Sequence, residues 1–159
     1  MSRIQKIACA LSLIILASCL GEKDIASSTP LDIIISLQKT PCYGSCSVYL
    51  FQVLNDGSAT LTVGGMASDN LNLNLPDGKY LGQLSNSEIE EVVTYAENNG
   101  YFDFNEKYDD ARVMDLPATI SLVEGHKVFN RFEGPNLDGL YSLIESKISG
   151  VLWTKTTEN

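Results

Sequence analysis

Polar and apolar residues alternate from Leu31 to Gln38, where Ile33, Ile35 and Leu37 are set against Asp32, Ser36 and Gln38. A period of two predicts a strand with one buried face. Ser47 to Leu54 is apolar on both faces and predicts a strand near the centre of a sheet. Asn55-Asp56-Gly57 then supplies residues that tolerate the positive φ of a tight hairpin. Ser58 to Val63 runs back with Ala59, Leu61 and Val63 on one side. Leu71, Leu73 and Leu75 alternate with Asn70, Asn72 and Asn74, which predicts an edge strand ended by Pro76-Asp77-Gly78. Further on the period lengthens. Ser85 and Glu88 match a capping box, Ile89, Val92, Val93 and Ala96 form one helical stripe, and Asn99-Gly100 is the stop. Tyr101 to Asp115 reads as an irregular polar connection. Pro117 to Val123 and Lys127 to Phe132 predict a second hairpin around Glu124-Gly125-His126, with Ile120 and Leu122 sharing a face. Gly134-Pro135-Asn136 opens a closing helix marked by Leu137, Leu140, Tyr141, Ile144 and Ile148.

The order β-β-β-(β)-α-β-β-α implies an α+β fold, an antiparallel sheet with two helices packed on one face and water on the other. Residues 31–155 suit a single domain, and no internal repeat is visible.

Before this domain the pattern changes character. Arg3 and Lys6 precede an apolar run from Ile7 to Leu16, which is far short of the roughly 20 residues of a membrane span and fits a signal h-region. Leu16-Ala17-Ser18-Cys19 closes it as a lipobox, so residues 1–18 read as a lipoprotein signal and Cys19 as the lipidated first residue of the mature chain. Residues 19–30, with Gly21, Ser27, Ser28 and Pro30, read as a flexible tether spanning about 15–20 Å. The residue after Cys19 is Leu20 and not Asp, so inner-membrane retention is not signalled. Glu22-Lys23-Asp24 fits both an acidic surface-export signal and an ordinary solvated tether. The expected location is the bacterial cell envelope, at the outer membrane, on its periplasmic side or its surface.

Charge narrows the partners. The chain has 11 basic and 20 acidic side chains, net −9, and losing Arg3 and Lys6 with the signal makes the mature protein more acidic still. Such a protein repels phosphate backbones, so nucleic acid is not expected as a partner.

Of the four cysteines, Cys9 leaves with the signal and Cys19 takes lipid, which leaves Cys42 and Cys46 as an even pair in an exported chain. That reads as a disulfide, with Gly44 letting the loop turn. A thiol-redox role is the competing reading. Reactive pairs usually open a helix, whereas Cys46 leads into a strand. Zinc would need two further ligands, and the single histidine, His126, reads as a solvated turn residue. Asp103, Glu106, Asp109, Asp110 and Asp115 lack the spacing of a calcium loop. No nucleophile elbow or phosphate loop is present, so neither a metal nor a cofactor is expected.

Cys42-Tyr43-Gly44-Ser45-Cys46-Ser47-Val48-Tyr49, Gly78-Lys79-Tyr80, Asp115-Leu116-Pro117 and Gly134-Pro135-Asn136-Leu137 follow in that order. In them the chain resembles the lipoprotein-borne family known as domain of unknown function 6438. That family's pattern has proline where this chain has Ser47. The resemblance implies no activity. Asp115 gains interest from it, and its plainest role is to brace the turn into the strand at Pro117.

The expectation is a non-enzymatic, membrane-anchored binding or accessory module. The bilayer holds it through acylated Cys19, and an envelope protein or glycan meets the open sheet face or a loop region including Tyr43, Gly44, Tyr49 and Asp115. The alternative is a thiol–disulfide redox protein centred on Cys42 and Cys46.

Overall fold

The computed structural model describes residues 32–67, 71–113 and 115–157. The expected signal, the lipidated Cys19 and the tether lie outside the described residues.

Strands β1 (Ile33–Lys39), β2 (Ser47–Leu54) and β3 (Ser58–Gly65) form an antiparallel meander, with β4 (Gly78–Gln83) paired beyond β3. Helix α1 (Asn86–Asn98) follows, then a single 3-10 turn at Tyr101–Asp103 and the two-residue β5 (Lys107–Tyr108). Strands β6 (Thr119–Val123) and β7 (His126–Asn130) make the second hairpin, and helix α2 (Asp138–Gly150) leads to a terminal β8 (Thr154–Lys155). One eight-stranded sheet results, in the order β5-β7-β6-β1-β2-β3-β4-β8. Among the described residues only the β5–β7 pair is parallel. The class is α+β, with two helices among the described residues, as the periodicity predicts.

Register explains the core. Leu37 stands opposite Phe51 and Ser121, Ile35 opposite Val53 and Val123, and Phe51 opposite Leu61. These side chains are all fully buried. They join Val92 and Ala96 of α1 and Leu140, Ile144 and Ile148 of α2 in one cluster. Ser121 is the one buried polar residue among the described residues, and its hydroxyl meets that of Tyr101 at 2.9 Å. Ile120 and Leu122 do share a face, but it is the outward one, because Ser121 and Val123 take the core positions.

Local chemistry holds the element ends. Ser85 and Glu88 form the reciprocal capping box: the Glu88 carboxylate accepts from the Ser85 N–H at 2.8 Å and the Ser85 hydroxyl accepts from the Glu88 N–H. At the first hairpin the Asp56 carboxylate accepts from the Ser58 N–H at 2.8 Å.

Three local expectations are corrected. Leu71, Leu73 and Leu75 form no strand. Asn72 adopts φ 53°, which breaks an extended run, and Leu71 packs into the core while the pairing edge of β3 is taken by β4. Gly78 opens strand β4 rather than closing the Pro76-Asp77-Gly78 turn, and Tyr80 of β4 is buried and donates its hydroxyl to the Pro76 carbonyl at 2.6 Å. The second hairpin turns on Glu124 (φ 44°) and Gly125 (φ 83°) alone, which places His126 inside β7. Tyr101 to Asp115 is less irregular than its composition suggests, since Tyr101 is buried and β5 lies within it.

The C-terminal segment is locked by a close approach at Gly82. A Cβ there would collide with Val151 and lie 2.9 Å from the Trp153 ring. Trp153 itself stands edge-on to Phe51 and donates its indole N–H to the Ile148 carbonyl. Gly82→Ala is therefore expected to cost about 1–3 kcal/mol in urea unfolding. Gly150→Ala, where a Cβ meets nothing within 4 Å, should change stability by less than about 1 kcal/mol. Equal effects would refute the close-packing account.

A polar cleft beside the disulfide loop

Inward positions on the central strands turn from apolar to polar at one end. Along β1 they read Ile35, Leu37, Lys39, and along β2 Val53, Phe51, Tyr49, Ser47. Lys39 stands opposite both Tyr49 and Thr119. The Glu145 carboxylate of α2 faces this row. It accepts from the Tyr49 hydroxyl at 2.7 Å, and the Lys39 ammonium lies 3.8 Å from the same oxygen. Lys39 also sits 4.8 Å over the Tyr141 ring. These groups border a cleft of about 310 Å³ lined by Lys39, Cys46, Ser47, Tyr49, Leu71, Pro117, Thr119 and Glu145. The Ser47 hydroxyl is buried there with no hydrogen-bond partner among the described residues.

The disulfide loop forms one lip. Cys42 and Cys46 are bonded, with Cα atoms 5.9 Å apart. Gly44 takes φ 146°, and Tyr43 beside it is 92% exposed. The other lip is the entry to β6. Thr40 holds the two together: its Oγ1 accepts from the Ala118 N–H at 2.7 Å, and its backbone N–H donates to the Ala118 carbonyl at 3.0 Å. Two motifs distant in sequence, Cys42–Tyr49 and Asp115–Pro117, thereby meet at one cleft.

The expected binding residues separate. Tyr43 and Gly44 are on the exposed loop, whereas Tyr49 is 3% exposed and belongs to the cleft floor. Asp115 is exposed beside Pro117 and does not line the cleft. Lys39, Ser47 and Glu145 were not expected in a site. The signal for two of them is present in the chain, because inward alternation carried one step past Leu37 and Tyr49 lands on Lys39 and Ser47. Glu145 required knowledge of how α2 crosses the sheet.

His126 is not a solvated turn residue. It is half-buried, edge-on to Tyr101 at 5.4 Å and to Phe102 at 6.0 Å, and its Nε2 is buried without a partner among the described residues. The turn being two residues long is what draws it inward. Of the acidic residues of the 101–115 segment, Asp109 pairs with Arg131 and Lys107, and Asp110 with Arg112. Hydrogen bonding from Arg131 holds the Asp109 carboxyl below the usual carboxylate range. Among the described residues no group of three His, Cys, Asp or Glu is placed to hold a metal ion.

Chemically, the cleft offers hydrogen bonds and a compensated charge pair. Burial pushes the Tyr49 phenol well above its ordinary value near 10, reinforced by the bond to Glu145, so Tyr49 serves as a donor and not as a base. Burial likewise raises Tyr101 to about 12 and raises Tyr141. All three stay protonated in the folded protein at pH values where unfolded tyrosine ionises. Their stabilisation is complete below pH 10 and is lost as the pH climbs beyond it. Denaturation midpoints should thus fall above pH 10, and absorbance at 295 nm should show Tyr49, Tyr101 and Tyr141 ionising only with unfolding. Early ionisation with the fold intact would contradict this. The disulfide closes a loop of only five residues, so Cys42→Ser with Cys46→Ser should lower unfolding free energy by about 2 kcal/mol and leave the domain folded.

No curated protein and no solved structure matches the chain. A family model does match, over residues 33–145, which takes in β1 through most of α2 and both lips of the cleft. The chain belongs to the family described as Domain of unknown function (DUF6438).

Proposed function

We propose that this protein is a non-enzymatic binding module of the bacterial cell envelope, held on the bilayer by lipid on Cys19. Its ligand or partner is engaged at the cleft beside the disulfide loop. Both helices cover one face of the sheet and leave the other to water. The observation that carries the binding assignment is the convergence of Lys39, Tyr49 and Glu145 with the unpartnered Ser47 hydroxyl at a concave site. A buried hydroxyl without a partner is costly, and a bound polar group would satisfy it. Pro117 and Leu71 add apolar wall, and the exposed Tyr43 stands on the neighbouring loop as an aromatic contact. The occupant is an envelope protein or glycan and not nucleic acid, given the acidic balance of the chain.

The cysteine pair supports this reading over redox exchange. Cys46 runs directly into β2 and opens no helix, whereas reactive pairs usually sit at a helix N-terminus. The bond instead sets the shape of one lip.

Two measurements test the proposal. Metabolic labelling with a fatty acid should mark the wild-type protein and not Cys19→Ala; label that persists on the variant rejects the anchor. A photoreactive amino acid in place of Tyr43, in intact envelopes, should give a discrete adduct that Lys39→Ala or Glu145→Ala reduces at least about tenfold, the scale of a lost charged hydrogen bond. An adduct indifferent to both variants rejects the cleft.

A further inference from the structure

None of the eight strands contains Asp or Glu, although the chain has 20 acidic residues. Five strands nonetheless carry lysine: Lys39, Lys79, Lys107, Lys127 and Lys155. Strand propensity does not explain this asymmetry, since lysine and glutamate are depleted from strands to similar degrees. Lys107 and Lys155 lie on the edge strands, where lysine discourages sheet-to-sheet pairing. Lys79 and Lys127 need another reason.

Both are exposed and point outward, away from the core positions Tyr80 and Val128. From Lys79 one outward row runs neutral to Phe129: Thr62 stands opposite Lys79, Leu50 opposite Thr62, Gln38 opposite Leu50 and Ile120 opposite Gln38, while Lys127 stands opposite Leu122 in the adjacent row. Ser36, Gln52 and Leu122 flank it. Two shallow depressions of about 230 and 220 Å³ share Gln38 and Leu50, so they form one trough across β6, β1, β2 and β3. Lys127 lines its far end. Five strand spacings separate β7 from β4, roughly 24 Å. On the outward side of β7, Phe129 has Lys107 at 5.6 Å and Arg131 at 5.9 Å from its ring centre.

We infer that this outward sheet face binds an acidic glycan laid across the strands. Amide and hydroxyl side chains meet sugar hydroxyls, Leu50, Ile120 and Leu122 meet the apolar faces of the rings, and Lys79 and Lys127 meet carboxylates or phosphates at the two ends. The strand positions of this face carry no carboxylate, and because Asp109 pairs with Lys107 and Arg131 beside Phe129, complementarity to a polyanion rests on Lys79 and Lys127. The middle of the trough is too sparse in cations and too rich in amides for a bilayer surface, where clustered lysines supply the attraction. The trough lies on the outward face and the cleft on the inward one, with Lys39 and Tyr49 bordering both, so this is a second site that goes beyond the cleft while resting on the binding-module reading.

Calorimetry with the full-length protein in detergent tests it, using a carboxylated oligosaccharide (oligogalacturonate), dextran of equal length, poly-glutamate and vesicles one-third phosphatidylglycerol. Oligogalacturonate should bind with an affinity that falls as salt rises, and dextran more weakly. Lys79→Gln with Lys127→Gln should weaken binding about tenfold, Gln38→Ala with Gln52→Ala severalfold, and Arg112→Gln not at all. Cys19→Ala and Glu145→Ala should retain full affinity, so failure of the anchor or of the cleft is told apart from failure here. The inference is overturned if oligogalacturonate does not bind, if the lysine pair is immaterial, if poly-glutamate binds equally and the glutamine pair has no effect, or if only the vesicles bind.

Discussion

Register between β1 and its two neighbours governs the direction of every side chain at the middle of the sheet. Leu37 opposite Phe51 on one side and opposite Ser121 on the other commits three strands to one inward face. A slip of one residue would exchange Ile35, Leu37, Phe51 and Val53 for Ser36, Gln38, Leu50 and Gln52, placing two amides and a hydroxyl in the core. The same ladder carries past the apolar layer to Lys39, Tyr49 and Ser47. The cleft is thus a direct continuation of the core, one layer further along the strands.

That continuity has an energetic consequence. Polar groups at the end of a core must either find partners or remain wet. Tyr49 and Lys39 find theirs on Glu145, a helical residue whose neighbour Ile144 is fully buried. The hydrophobic anchoring of α2 therefore sets where the carboxylate stands, and the carboxylate in turn fixes Tyr49. Ser47 receives no such partner, and the disulfide and the Thr40–Ala118 bonds hold the two lips around it. Stability and site geometry draw on the same contacts at this end. Nearer the turn of the β6–β7 hairpin, the hydroxyls of Tyr101 and Ser121 settle each other as a buried polar pair.

Much of the fold was legible in the chain because its signals were local. The capping box at Ser85 and Glu88, the turn at Asn55-Asp56-Gly57, the central strand Ser47–Leu54 and the α2 stripe each depend on neighbours a few residues away. Misreadings came where two local signals competed. Leucine–asparagine alternation at 71–75 resembles a strand, yet Asn72 is also comfortable at positive φ, and β4 outcompeted the segment for the edge of β3. For the site, the disulfide pair was readable from cysteine arithmetic. Glu145 was not, since nothing near it in sequence points to β1 or β2.

By itself the sequence determined the α+β class, the cysteine pairing and the boundaries of the first helix, all set by periodicity, caps and short-range spacing. Tertiary structure alone decided which face of β6 turned inward, that His126 joined a strand, that the short β5 and β8 closed the sheet edges, and that Lys39, Tyr49 and Glu145 share one cleft. Those outcomes depend on which of several compatible partners packs best across the chain. Such a choice is made by burial of the whole core at once, and no local window contains it.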